Sequence, residues 1–473
     1  MTSTRVILML WTGLLALFCP SSGLGLPAID GGEPTAVQVT VYTGNVALVQ
    51  ESRKVSLPGG EVRLRVVGLP AQIIPESVTV KSLSQPDGLA VLEQQYHHDL
   101  PTHDALLKEF VGRKIKIIDW NKPLDRKQVV EALLLGVTEG EVYEIDGQVF
   151  LGHPGYKVLP ELPAHFTLRP TLTWLLQNRS QTVHDLRVTY LTRGLSWRAD
   201  YVLILKKTDS LADLEGWGTI SNQCGADFKM ARLKLVAGEI HRIEPPPQER
   251  GYARMAMKEA DTAQLEEKPF FEYHLYDLKR PTDIDDKQTK QIRLLEAKGL
   301  KITEELLVEG SKGYLIRPFG GQDTKQPVRV VIRLKNSKEN GLGSPLPGGI
   351  ARVYKEDEDG SPRFIGEDRV GHLPPDETLR VTTGEAFDVV SERVQTDFKQ
   401  ISTRLYESEW EITLRNRKGD AVRVSVVEPM TGNWSVITSS HPSEKADAFT
   451  IRFELPVPAG GEAKVTYRVR VGL

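Results

Sequence analysis

From Thr35 onward the chain alternates apolar and polar residues in short runs. Val37, Val39 and Val41 face one way while Gln38, Thr40 and Tyr42 face the other. Side chains that change sides at every residue make a half-buried strand, whereas helical faces recur every three to four residues. Asn45 to Val55, Glu61 to Val67 and Ser77 to Leu83 repeat the theme, separated by Pro58-Gly59-Gly60 and by Gly68-Leu69-Pro70. Glycine and proline of this kind supply turns and stop strands. With 40 glycines and 29 prolines in 473 residues, many short strands are favoured over long helices. The expected fold class is mainly β, with several sandwich or barrel-like domains in tandem and few short helices.

Changes of pattern divide the chain. An N-terminal β-domain is expected over 26–86 and a small barrel-like β-unit over 87–165. The latter has one short helix after Thr102, where Leu106, Leu107, Phe110 and Val111 fall at helical spacing. Inside it, Tyr143 to Val149 encloses Asp146-Gly147, a tight hairpin signal because both residues tolerate positive φ. A central sandwich is expected over 166–370 and an immunoglobulin-like sandwich over 371–473. The stretch 244–269, with Pro245-Pro246-Pro247, reads as an exposed excursion between strands. Four apolar runs end alike, in Asn178, Asn222, Asn336 and Asn416, where an asparagine side chain can bond nearby backbone and start a turn. Two copies run on in parallel, Asn178 to Val188 and Trp197, and Asn416 to Val424 and Trp434, as two related sandwich units would.

Location is the clearest functional reading. Arg5, the apolar run Val6 to Cys19, and Pro20 to Gly25 have the order of a secretory signal peptide over 1–25. The apolar run is short for a membrane anchor and is closed by Pro20. The expected protein is secreted or periplasmic, with no membrane span after signal removal. Cys224 is then alone, so stability must come from burial rather than from an internal disulfide. Net charge of −3 and mean hydropathy of −0.28 describe an ordinary globular protein with no global basic field for nucleic acid.

No reaction centre emerges. His97, His98 and His103 with Asp99 and Asp104 are the densest ligand-type cluster, but they straddle Pro101 and lack paired-ligand spacing. Asp357, Asp359 and Gly360 resemble the start of a calcium loop without its closing glutamate, and read better as a hairpin tip. Gly194-Leu195-Ser196-Trp197-Arg198 lacks the closing glycine of a hydrolase elbow. Two dispersed carboxylates suffice for a glycosidase, so that chemistry stays open. No catalytic residue, metal or cofactor is expected. Trp174, Trp197, Trp217, Trp410 and Trp434 would suit either sandwich cores or sugar stacking, and Trp217, Trp120 and Tyr276 are the candidate surface-binding residues.

Several motifs together resemble the mucoidy-inhibitor-A-like family, whose C-terminal region is a domain of unknown function, 4139. They are Thr189 to Tyr201 (TYLTRGLSWRADY), Leu233 to Glu239, Glu272 to Tyr276, Lys290 to Leu295 and Gly343 to Gly349. The resemblance implies an exported bacterial protein of mostly β structure and carries over no catalytic residue. Longer members have a central coiled coil; this chain has no heptad run before Leu168, so it resembles a short form. The expected role is a non-enzymatic envelope or extracellular protein that docks another protein or itself through its β-domains. The alternative is a carbohydrate-binding module or glycan hydrolase.

Overall fold

The computed structural model describes residues 28–97, 102–121, 126–138, 140–163, 169–180, 182–238, 265–270, 273–319 and 325–473. Residues 1–25, the expected signal peptide, and residues 244–264 of the expected excursion lie outside them. Strands dominate the described residues, with one α-helix, His103–Glu109. No helix among them is long and apolar enough to cross a membrane. Contacts divide the chain into two compact units, each assembled from three stretches of sequence.

The first unit takes the described residues up to Thr35, then Ser52–Leu69 and Val80–Val188. Its four-stranded sheet runs in the order Ala28–Asp30, Gly60–Val67, Thr171–Asn178, Leu89–His97. Val62, Leu64 and Val66 on one strand and Leu172, Trp174 and Leu176 on the next are buried, every second residue in each case. The five-stranded sheet has the order Gln148–Leu151, Val142–Ile145, Arg126–Gly136, Lys114–Asn121, Tyr156–Val158. The barrel-like unit expected here is therefore an open sheet with two edges. Its end strands, Gln148–Leu151 and Tyr156–Val158, do not pair with each other, so the sheet does not close. The helix covers one face instead, where Leu107 and Phe110 meet Ile115, Ile117, Ala132, Leu134, Tyr143 and Ile145.

The second unit comprises Ala36–Glu51, Pro70–Thr79 and Thr189–Leu473. Its longest strand, Gln288–Glu309, pairs along its first part with Leu211–Asn222. Along its last part it pairs with Arg329–Lys335 and Val422–Pro429. Leu265–Phe270 is a strand paired with Tyr273–Leu278, so the excursion ends earlier than its composition suggests. Pro269 is accommodated because this strand is outermost in its sheet and one side needs no donor. At the C-terminus, Val389–Ser402, Leu405–Asn416, Glu462–Gly472 and Asn433–Ser439 form a sheet whose inner face is Trp410, Ile412, Leu414, Val465, Tyr467, Val469 and Val471. Val424, Val426, Phe453 and Leu455 face them across the core.

That core contains an ion pair. Arg393 and Glu428 are both buried, with Nη2 of the one 2.6 Å from Oε1 of the other. Arg393 Nε donates to Gln326 Oε1 at 2.8 Å, and its guanidinium lies 5.8 Å from the Trp410 ring centre. Burial works against the charge on Arg393, but the adjacent Glu428 carboxylate overrides it and raises its pKa. The Tyr467 phenol is pushed well up by burial and by the same carboxylate.

The asparagine theme is a structural device. All four residues are buried. Asn178, Asn222 and Asn416 accept through Oδ1 from the N–H two residues on, at Ser180, Cys224 and Lys418, which starts the anticipated turn. Asn336 instead accepts from Gly343, at 3.0 Å. Each Nδ2 then donates to carbonyls of its own turn or of other segments: Leu57 and Pro58 for Asn178, Ala226 and Ile284 for Asn222, Ser344 and Pro374 for Asn336, and Asp420 and Pro458 for Asn416. One amide thus ends a strand and ties down the neighbouring loops, satisfying carbonyls that would otherwise be buried unpaired.

Candidate interaction surface

The site that stands out chemically is the edge of the five-stranded sheet. Asp146 and Gly147 adopt φ of 49° and 74°, the double positive φ of a primed turn, and set the register Ile145 opposite Gln148 through Val142 opposite Leu151. Among the described residues Gln148–Leu151 is outermost in the sheet order, paired on one side only. All four residues are exposed and none is charged. Leu151 is 87% exposed and Val149 63%. Exposed edge strands are normally protected by charge, proline or a bulge, because their free N–H and C=O groups template further pairing. This one carries none of those protections.

The outer face behind the edge is also apolar in part. Tyr156, Ile118 and Val129 stand opposite one another across three strands, and Tyr156 and Val129 are exposed. The charged residues there are interspersed: Lys116 is opposite Glu131, and Glu144 lies between Leu133 and Val149. At the rim, the Glu141 carboxylate meets Lys157 at 2.7 Å and accepts from the Tyr143 hydroxyl at 2.9 Å. Partial burial pushes the Glu141 pKa up, but these bonds and the Lys157 charge outweigh it and hold it below the usual range. The helix is secured at its start by the Thr102 hydroxyl, which accepts from the Ala105 N–H at 3.2 Å.

The candidate surface aromatics are not gathered here. Trp217 is 8% exposed, paired opposite Asp200 in the second unit, with the Arg293 guanidinium 4.9 Å above its ring. Tyr276 is 5% exposed, its hydroxyl donating to the Pro345 carbonyl at 3.1 Å and its ring meeting Trp197 edge-on. Neither ring offers the open face that stacking on a sugar requires, because each packs under neighbouring strands. Trp120 stands on Lys114–Asn121; its side chain lies outside the described residues. Trp174, Trp197 and Trp410 are buried, and each indole N–H is satisfied, by Gln94, by the Val236 carbonyl and by Ser408. Trp434 is half-buried.

The remaining chemical candidates are accounted for by packing. His98 and Asp99 lie outside the described residues; His103 contacts Asp104 at 3.0 Å and Glu141 at 3.5 Å. Among the described residues no three histidine, cysteine or acidic side chains are grouped to hold a metal. At the Asp359-Gly360 hairpin the carboxylates are turned to their own loop, Asp359 accepting from Ser361 N–H and Asp357 from Glu358 N–H. The Cys224 thiol is buried, and burial pushes its pKa up to about 12, away from the thiolate that reactivity needs. A Ser82–His184 contact of 2.9 Å, which the sequence does not signal, is sealed from solvent in the first unit.

The motifs that carry the family resemblance converge in the second unit. Gly194, at φ 82°, turns the chain into Leu195–Leu205, and a side chain there would strike the Cys224 backbone at 2.7 Å. Trp197 donates to Val236 in the Leu233 to Glu239 motif, and Tyr201 donates to Pro347 at 2.7 Å in the Gly343 to Gly349 motif. On the opposite face Asp200 accepts from Thr219 at 2.6 Å and pairs with Arg198 and Arg352, each at 3.1 Å. Gln291, from the Lys290 to Leu295 motif, donates to that same Thr219. The motifs are a shared packing cluster in which the buried Asp200 carboxylate is saturated.

A mainly β architecture of several sheets, with a recurrent asparagine tie and an uncharged strand edge, defines the class. The domain of unknown function DUF4139 matches residues 186–473, and the N-terminal domain of unknown function DUF4140 matches residues 39–109. The chain belongs to the DUF4139 family. No curated protein matches it.

Proposed function

We propose that this is a non-enzymatic protein of the bacterial envelope or extracellular space that docks a partner protein by strand addition to Gln148–Leu151. The uncharged, exposed edge strand carries the reading. A partner strand would take its affinity from main-chain hydrogen bonds and its selectivity from alternate side chains set against Val149 and Leu151. An apolar partner strand is favoured, because the edge offers no charge for an acidic or basic one to meet. Export by residues 1–25 is part of the proposal and accords with a fold that relies on burial and has one buried cysteine. The burial of Trp217 and Tyr276 removes support from the sugar-stacking alternative.

The test is affinity capture from native envelope extract, with residues 26 to 473 as bait beside a Leu151→Lys bait. The proposal expects one dominant protein retained by the first and lost from the second. Equal recovery from both baits, or glycan alone, would overturn it.

A further inference from the structure

A shallow groove of about 520 Å3 crosses the second unit where Gln288–Glu309, Arg329–Lys335 and Thr378–Glu385 lie side by side. We propose that it binds an oxyanion, the carboxylate or phosphate group of an acidic ligand. The ladder sets Thr303 opposite Arg333 and Arg333 opposite Arg380, so two guanidiniums occupy directly opposed positions in an antiparallel pair. Like charges so placed repel, and a sheet keeps them at a cost in stability.

Their neutralisation is incomplete. Glu305 sits 3.5 Å from Arg333 through one oxygen and 3.4 Å from Arg452 through the other, so Arg333 shares its carboxylate with Arg452, which also has Glu454 at 3.7 Å. Arg380 and Lys301 have no ion-pair partner among the described residues. Lys335 donates its ammonium to the Asp376 carbonyl, which anchors its charge at the end of the groove. The lining carboxylate, Glu339, accepts from its own backbone N–H and from the Ser337 hydroxyl and is thereby drawn back to its own loop.

The walls are pre-set. Asn340 donates to the carbonyls of Lys301 and Lys335, at 3.1 and 3.0 Å, and accepts from the Lys301 N–H at 2.7 Å, which clamps two strand ends together. Arg333 lines the groove and Arg380, its partner across the ladder, stands beside it, so an oxyanion held by Arg333 and reached by the long Arg380 side chain would take charge-assisted hydrogen bonds from both forks and turn their repulsion into attraction. The hydroxyls of Thr303 and Thr378 and the ammonium of Lys301 flank that position as further donors.

The experiment melts the full chain in chloride, in phosphate and in glucuronate at equal ionic strength, so that general screening is common to all three. At an anion concentration about tenfold above its Kd, binding should raise Tm by about 1.5–2.5 °C. The Arg380→Gln chain should melt above the wild type in chloride and gain nothing from either anion. Lys301→Gln, at an exposed position, provides a second variant and should lose most of the shift. A response to phosphate alone identifies a phosphate ligand, and a response to glucuronate alone a carboxylate. No shift beyond chloride in either anion, or equal shifts in wild type and both variants, overturns the proposal.

Discussion

The C-terminal sandwich and the five-stranded sheet use one strand-building rule to make opposite surfaces. On the outward face of the sandwich, Glu407 stands opposite Arg470 and Glu409 opposite Arg468, with side-chain contacts of 2.5 and 2.7 Å, and Lys464 meets Glu411 at 2.8 Å. That face is closed by paired charge above a core of nineteen buried residues. The five-stranded sheet has a core of eight among the described residues and ends in Gln148–Leu151, which has no charge at all. Complementary charge across strands satisfies a face and leaves little for a partner to gain, whereas an uncharged edge keeps its main-chain groups available. Under the proposed function, docking falls to the small sheet and stability to the sandwich.

The largest way to break the comparison is at the buried ion pair. Glu428→Ala leaves Arg393 charged and unpaired in the sandwich core, and chemical denaturation should register a loss of about 3–5 kcal/mol. The double change Arg393→Met with Glu428→Leu should recover most of it. Next is Asn416→Ala, which strands the carbonyls of Asp420 and Pro458 and should cost about 1–3 kcal/mol in the same assay. Neither change should alter the edge strand, and hydrogen exchange at Gln148–Leu151 would show it if one did.

Effects in the small sheet should be weaker and local. Gly147→Ala forces a β-carbon onto φ of 74° and should cost about 1–2 kcal/mol, read as faster amide exchange in the hairpin. Glu141 has its folded pKa below the unfolded value of about 4.3. Its stabilisation is therefore present above that value and is lost as pH falls through the folded pKa. Glu141→Gln should remove that acid-side slope, by about 1 kcal/mol or less. Leu151→Lys should change stability by no more than about 0.5 kcal/mol, since the side chain is exposed, while abolishing partner capture.

Much of this architecture was legible residue by residue. Alternation located the strands, because burial on one face imposes a period of two. Asp146-Gly147 located the hairpin because few other pairs accept two positive φ values. The four asparagines signalled turns, though not the loops their amides would tie, since those lie up to 121 positions away in the chain. Arg393 and Glu428 were invisible as core residues: a charge in an alternating run reads as facing solvent, and only a partner on a distant strand reverses that. The edge was equally hidden, because Gln148–Leu151 has the same pattern as an interior strand and its position depends on non-local pairing. Trp217 and Tyr276 misled for the same reason, as exposure is decided by what packs above a strand.

The docking claim is tested most directly by site-specific photocrosslinking in intact envelopes. A benzophenone side chain would replace Leu151 on the edge in one chain and Lys464 on the charged face in another. The account predicts one discrete protein adduct from position 151 and none from position 464. Adducts of equal yield from both positions, or none from position 151, would contradict it.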